Sequence, residues 1–406
     1  MIRILTLAVA LLATPALAQD RAQMQRNFEG WLGKTVWPQA RKVGVDRGTF
    51  DAAFSGVKLN FKIPGLKFPG AKVATGGQAE FRSPARYFRE KNLAATARIG
   101  RGLSSKYNRA LAQIERKTGV PRRILLSIWG RESGFGRVKI PHNVFEVLGT
   151  RAFFSDGTYM TSELVGALQV AQEGHVPVGS MKSSWAGALG QPQMMPRSFL
   201  AYAADGSGDR KADIWRSEAD TLASIANFLA VHDWQKGRDW GFEVVVPASV
   251  SCALEGPDNT RKIRDLERMG ITRVGGKAFP ANEVGKSGSL LMPAGRFGPA
   301  FIVTPNFYVI KRYNRSDAYA LYVGHAGDRI QYGVGAFKTG WAGTDKMLRT
   351  DVAKIQRGLE KAGFDVGGAD GLPGFKTRRS IGAWQEKNGQ RPTCFPTKGL
   401  VKSVGR

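Results

Sequence analysis

The stretch Gly119-Val-Pro-Arg-Arg-Ile-Leu-Leu-Ser-Ile-Trp-Gly-Arg-Glu-Ser-Gly-Phe-Gly136 decides how the rest of the chain is read. Pro121 suits the first turn of a helix, where its missing N–H costs nothing. Gly134 and Gly136 suit the stop. Between them Leu125, Ile128 and Glu132 stand at i, i+3 and i+7 and share one face. A carboxyl group therefore sits on the apolar stripe. If it is buried there, lost hydration and the C-terminal end of the helix dipole both raise its pKa. A carboxylic acid protonated near neutral pH can act as general acid toward a glycosidic oxygen. If Glu132 instead pairs with Arg131 or Arg137, or leans away from the helix end, it is an ordinary surface charge. Spacing alone leaves both readings open.

Around this helix the chain divides by texture. Phe28, Trp31 and Leu32 recur at helical spacing, and Thr49 to Phe54 reads as a second capped helix. Val57 to Gly76, rich in Gly and Pro, reads as a loop or extended segment. Residues of about 106–235 form the densest helical block. From about 242 to 305 the pattern changes: Val244-Val245-Val246 suggests a strand, and Gly, Pro and Lys punctuate the residues after it. Residues 306–330 return to ordered, aromatic-rich patterning. Residues 331–346 are Gly-rich and read as a linker, and 347–402 as a compact separate module. The fold class expected is mainly α with some β.

The chain has 406 residues, enough for two to three domains. Its 42% hydrophobic and 23% charged content excludes wholesale disorder. Lys and Arg number 60 against 33 Asp and Glu, a net charge of +27 that points to an anionic partner. Met1 to Arg3 is positive, Ile4 to Leu12 apolar, and Ala16-Leu17-Ala18 is a cleavage signature, so residues 1–18 read as a secretory signal peptide. No Cys stands near the cut to carry a lipid. Export makes nucleic acid a poor partner and a cell-envelope polymer a good one, and it implies a periplasmic protein without stable membrane insertion. Two cysteines exclude a Cys-rich zinc site. Cys252 and Cys394 either form a disulfide, which export permits, or are two separate buried thiols.

Four further blocks extend the signal. Trp129-Gly-Arg-Glu-Ser-Gly-Phe-Gly-Arg137 is followed by Ser184-Trp-Ala-Gly-Ala-Leu-Gly-Gln-Pro-Gln-Met-Met-Pro-Arg-Ser-Phe199. Next come Asp205-Gly-Ser-Gly-Asp209 with Asp213-Ile-Trp215, then Ala223 to Trp234 with His232, and finally Phe307 to Tyr319 with Arg312-Tyr313-Asn314. In order and spacing, over roughly residues 25–330, they resemble the B-type family of lytic murein transglycosylases. The resemblance implies a lysozyme-like core. It also implies cleavage of the β-1,4 bond between N-acetylmuramic acid and N-acetylglucosamine in peptidoglycan, leaving 1,6-anhydro ends. Glu132 would be the single acid and base. Ser184, Gln193, Met195, Tyr313 and Tyr319 match substrate-lining positions. Phe228 stands where the family commonly has tyrosine, and the usual basic pair before the helix at Ser162 is absent, with Ser155-Asp156 near that place. A single carboxyl suffices because the muramoyl C6 hydroxyl attacks intramolecularly, whereas ordinary glycosidases need two. Of other acids downstream, Glu163 reads as solvent-facing, and Glu146 is left unassigned. A hydrolytic muramidase and an inactive peptidoglycan-binding scaffold are the competing readings.

No cofactor is required by this chemistry. Asp205, Ser207 and Asp209 resemble the start of a calcium loop, and some relatives carry a calcium-loaded turn here. Counted from Asp205, position 6 is Arg210 and position 12 is Arg216, so the motif is incomplete and an Asp- and Gly-stabilised turn competes. Leu348 to Leu400 resembles the type 1 peptidoglycan-binding domain, a small three-helix fold. It carries Ile355-Gln356, Gly363-Phe364, Asp370-Gly371, Gly374, Thr377 as helix cap, Ile381 and Trp384-Gln385. A tethered module of this kind would raise effective concentration on a polymer.

Overall fold

The computed structural model describes residues 13–68, 84–344 and 347–404. Residues 1–12 of the expected signal peptide and the later half of the 57–76 loop lie outside them. Helices make up 55% of the structure, so the mainly α expectation holds. Among the described residues no helix is long and apolar enough to cross a membrane. The chain forms two compact units, the first from residues 1–74 and 135–225, the second from 75–134 and 226–406. This division cuts across the 106–235 block, because apolar faces pair by packing and not by order in the chain.

The first unit is helical: Ala13–Trp31, Trp37–Lys42, Arg47–Phe54, Val144–Phe153, Thr158–Glu173 and Pro196–Tyr202. They enclose a core built on Phe28, Val36, Phe145, Leu148, Leu168 and Phe199. The helix expected from Thr49 starts at Arg47, because Asp46 is the cap and its side chain accepts from Thr49 N at 2.6 Å. A two-stranded ladder, β1 (His142–Asn143) with β2 (Lys182–Ser183), closes one side.

In the second unit Glu90–Lys106, Arg122–Ser133 and Asp317–Tyr332 pack on one another. Buried Arg123 locks this arrangement, reaching Asp328 at 2.7 Å and Asp239 at 2.8 Å. The stretch read as changed in texture is a five-stranded antiparallel sheet. Its strands are β3 (Gly241–Val245), β4 (Arg261–Lys262), β5 (Thr272–Arg273), β6 (Ser287–Leu291) and β7 (Ala300–Val303), in the order β4-β6-β7-β3-β5. Phe242 and Val244 face its core while Val245 faces solvent, the alternation expected of a one-sided sheet.

The C-terminal module has helices Arg349–Lys361, Phe375–Lys387 and Lys398–Ser403 around Ile355, Leu359, Ile381 and Leu400. Thr377 is not the cap. Gly374 holds that position, and Thr377 is buried, donating to Val366 O at 3.1 Å and accepting from Gln356. Gly371 has φ +77 and its N–H meets Gln356 Oε1, so a side chain here would strike the Arg349 carbonyl.

The module does not hang on a free tether. Cys252 and Cys394 are joined, their Cα atoms 6.3 Å apart. Buried Arg378 meets buried Glu255, and Arg296 N donates to Thr393 O at 2.9 Å. The segment read as a linker is pinned where it is described. Lys338 and Thr339 donate backbone N–H groups to Glu243, Phe337 stacks on His325, and Trp341 stacks on Phe88 at 5.2 Å. Glycine content suggested freedom, but two aromatic anchors and three backbone hydrogen bonds, the third from Ala342 N to Phe297 O, remove it.

Candidate active site

The Arg122–Ser133 helix ends as its sequence requires. Gly134 takes the left-handed conformation at φ +59, and its N–H returns to Gly130 O at 3.1 Å. Leu125 and Ile128 are fully buried, and Glu132 follows them on the same face. Its carboxyl keeps partial access to a cleft of about 840 Å³. Desolvation is the dominant influence and pushes its pKa up to about 7, against the opposing pull of the Tyr319 hydroxyl and the Arg131 charge. Arg131 forms no ion pair with it. Its guanidinium lies over the rings of Tyr87 at 4.3 Å and Tyr322 at 5.1 Å. The buried-acid reading of the helix therefore stands over the surface-pair reading.

Tyr319, on the first turn of the Asp317–Tyr332 helix, donates its hydroxyl to Glu132 Oε1 at 2.5 Å. Burial and the neighbouring carboxyl hold the Tyr319 and Tyr313 phenols well above their usual pKa, so both remain neutral. Tyr313 packs edge-on against Phe228, which itself stacks on His232. Phe228 supplies a ring and no hydroxyl.

Among the described residues two other carboxyl groups line the cleft, and both are committed elsewhere. Asp317 pairs with Lys311 at 2.5 Å and Arg378 at 3.2 Å. Asp370 Oδ1 accepts from Leu372 N and Gln356 Nε2. The floor thus presents one protonatable acid beside neutral phenols, with the cationic Arg131, Arg315 and Lys376 at its margins. Such a site can donate a proton to a leaving oxygen and take one back, and it suits an anionic polymer. The C-terminal module supplies part of the wall, through Val366 to Lys376, which no reading of spacing could anticipate.

Ser184, Gln193 and Met195 belong to the first unit, in the irregular stretch before the Pro196–Tyr202 helix. Ser184 Oγ accepts from Ala188 N at 3.3 Å. Gln193, at φ +55, donates one of its two amide N–H groups to Gly190 O at 2.8 Å and so helps shape the turn. Met195 is half-buried at the helix start. Beside Ser184 stands Trp185, half exposed, with Arg151 over its ring at 5.2 Å. Its flat face suits a sugar, and the sequence reading missed it because exposure is not visible in a string of residues.

One acid of this unit corrects the sequence reading. Glu163 does not face solvent. It is buried, and Oε2 accepts from Arg197 N at 3.0 Å in the first turn of the Pro196–Tyr202 helix. Burial raises its pKa and that N–H works against the rise. Glu146 accepts from Asn60 at 2.6 Å. At the candidate calcium turn the converging carboxyls are Asp205, Asp209 and Asp220, with oxygens within 4.8 Å of one another. The Ser207 hydroxyl donates to Asp205 Oδ1 at 3.1 Å. The set fits a cation poorly. Asp205 already accepts from the backbone of Ser207, Gly208 and Arg210, the Gly208 N–H chief among the contacts that hold its pKa low. Asp220, fully buried, accepts from the N–H groups of Gly206, Ser207 and Asp213. The turn is satisfied by its own amides.

A helical core whose desolvated acid faces a cleft shared with a small three-helix module is the arrangement expected of a glycan-cleaving enzyme of the lysozyme-like class. Comparison with known proteins gives the family. Residues 27–328 match the transglycosylase SLT domain and residues 349–399 the putative peptidoglycan binding domain. The chain therefore belongs to the SLT transglycosylase family and carries in addition a C-terminal peptidoglycan-binding domain. It is 30% identical over 228 residues to membrane-bound lytic murein transglycosylase B of Escherichia coli, a match covering 56% of this chain and 61% of that one. It is also similar to SltB3 of Pseudomonas aeruginosa, solved in complex with NAG-anhNAM-pentapeptide. There the TM-score is 0.83 at 34% identity, covering 93% of this chain and 99% of the other. A third relative is the lytic transglycosylase Slt35 of Escherichia coli, solved in complex with calcium, at TM-score 0.60 and 27% identity, covering 76% and 94%.

Proposed function

We propose that this protein is exported to the periplasm and cleaves the β-1,4 bond between N-acetylmuramic acid and N-acetylglucosamine of peptidoglycan without water. The observation that carries the reading is Glu132, a half-buried, cleft-facing acid whose pKa desolvation raises to about 7, with every other described cleft carboxyl already engaged. In the forward step the protonated carboxyl gives its proton to the glycosidic oxygen as the C1–O bond breaks. The muramoyl C6 oxygen bonds to C1, and the carboxylate takes the C6 hydroxyl proton. Glu132 ends protonated, as it began, and a 1,6-anhydro ring replaces a reducing end. A carboxyl near pH 7 serves both halves of that exchange. The Tyr319 hydroxyl steadies the carboxylate between them.

Several observations support the substrate. The family match and the peptidoglycan-binding domain point to the polymer, and SltB3 was solved with a glycopeptide whose name carries an anhydro sugar. The net charge of +27 favours residence on a carboxylate-bearing mesh. Ser184, Gln193, Met195, Tyr313 and Tyr319 are the proposed substrate contacts. No cofactor takes part in the reaction. Slt35 was solved in complex with calcium, so calcium is the cation to test at the Asp205 turn.

Digestion of purified sacculi, with mass spectrometry of the soluble products, tests the reading. Anhydro-ended fragments, one water lighter than hydrolysis products and absent with Glu132→Gln, are expected. Reducing ends would establish a muramidase, and binding without products a scaffold.

A further inference from the structure

The C-terminal module touches the reaction through one buried side chain. Arg378 lies on the module's Phe375–Lys387 helix. Its Nε and Nη2 donate to the Glu255 carboxylate at 2.5–3.1 Å, and Nη1 donates to Pro373 O at 2.8 Å. The remaining direction of Nη2 reaches Asp317 Oδ2 at 3.2 Å. Asp317 opens the very helix whose third residue, Tyr319, binds Glu132. Two residues apart in a helix, their side chains point to nearly opposite sides. One side of this turn is thus fastened to the module and the other to the acid.

We propose that Arg378 is a positioning residue for the reaction: by holding Asp317 it fixes the first turn of the Asp317–Tyr332 helix and keeps the Tyr319 hydroxyl on Glu132. This inference rests on the assignment of Glu132 as the acid. Apart from Lys311, the turn has little else to fix it on that side. Its cap is Ser316, which accepts from Tyr319 N at a long 3.3 Å, and the preceding Asn314 and Arg315 are exposed. Asp317 is instead gripped from two sides, by Lys311 and Arg378, and these two charges outweigh burial to hold its carboxyl below the usual range. The planar guanidinium suits this task, since one rigid fork meets two carboxylates and a carbonyl at once. The module is itself held by Cys252–Cys394 and by the buried Arg378–Glu255 pair, so the anchor does not wander.

The proposal has a readout that a merely structural role would not move. A hydroxyl donor favours the ionised carboxyl, so losing the Tyr319 bond raises the Glu132 pKa. The other groups facing Glu132 are Tyr313, neutral, and Arg131, whose charge is the same in every variant used. Asp317→Ala leaves the Arg378–Glu255 pair intact and is the primary variant. Arg378→Met with Glu255→Gln removes the buried charge together with its partner, because either change alone would strand a charge. Tyr319→Phe is the reference. Kinetics are read on soluble, uncross-linked glycan strands, with sacculus binding measured in parallel.

Asp317→Ala and the paired variant are each expected to lower kcat by about tenfold, the scale of one weakened hydrogen bond. The alkaline limb of kcat should move up, while KM and sacculus binding stay unchanged. In a Tyr319→Phe background Asp317→Ala should cost nothing further, since both act through one bond. The proposal is overturned if Asp317→Ala leaves kcat and its pH profile unchanged, if its cost is the same in both backgrounds, if the loss lies in KM or binding, or if Tyr319→Phe is itself silent. Should the paired variant fail to fold, Arg378→Lys takes its place: it keeps a charge for Glu255 and loses the second arm to Asp317, while Lys311 stays paired, and an unchanged kcat and pH profile would overturn the proposal. Activity surviving Glu132→Gln would instead sink the acid assignment, which separates the two failures.

Discussion

Glu132 and Glu163 are both carboxyls on helices, and both are pushed above the ordinary carboxyl pKa by desolvation. They differ in what their oxygens meet. Glu163 is turned onto the backbone N–H of Arg197, where it satisfies a helix end whose donors have no partner of their own. Glu132 stands at a helix end already closed by Gly134, and its oxygens meet a phenol and a cleft. Burial therefore raises a pKa without conferring chemistry. Chemistry needs a raised pKa on a group with access to a reacting atom.

The comparison breaks first under matched substitution. Glu132→Gln should reduce turnover by at least about a thousandfold, since the group that both gives and takes the proton is gone. Glu163→Gln keeps an acceptor for Arg197 N–H and sheds a desolvated charge. It should leave kcat unchanged and alter stability by under about 1 kcal/mol, measured by denaturant titration beside the anhydro-product assay. Equal losses of activity would mean that Glu163 belongs to the reaction.

Disulfide removal comes next in size. Cys252→Ser with Cys394→Ser should lower stability by about 2–4 kcal/mol. The enzyme should still cleave glycan, because the Arg378–Glu255 pair and the Trp341 and Phe337 anchors remain. Loss of activity without unfolding would show that the covalent link itself sets the cleft.

The pH dependence sharpens the contrast. Glu132 must be protonated to act as acid, so kcat should fall as pH rises through about 7. Because the folded state holds that proton more tightly than the unfolded one, wild-type stability should fall as pH rises from the ordinary carboxyl range to about 7 and then level off. Glu132→Gln should therefore gain on the wild type more at pH 8 than at pH 5, read as the difference in melting temperature. The smallest effect is expected at the Asp205 turn. Chelation with EDTA should leave product formation unaltered, since its carboxyls are satisfied by amides. A drop in turnover that calcium restores would contradict this.

Much of the molecule was legible in its sequence for local reasons. Pro121, Gly134 and the i, i+3, i+7 spacing depend only on backbone geometry, so the helix and the face carrying Glu132 could be read directly. The one-sided strand near Val244 and the core of the C-terminal helices follow the same logic of period and burial. Glu163 was misread because helical spacing says nothing of a distant backbone N–H in need of an acceptor. Asp220 was missed because it lies eleven residues beyond Asp209 and joins the turn only through the fold. The segment 331–346 looked free because composition records glycine content and not where Phe337 and Trp341 find their partners.

The amino-acid order by itself determined the Arg122–Ser133 helix with its glycine stop, the one-sided strand near Val244, and the residue types able to do acid chemistry. These depend on interactions a few residues long. Only the tertiary structure decided that Tyr319, 187 residues away, donates to Glu132. It also decided that Cys252 meets Cys394 and that Arg378 reaches Asp317. Those pairings, and the desolvation that moves the acid to about pH 7, exist only once distant apolar faces have closed and excluded water.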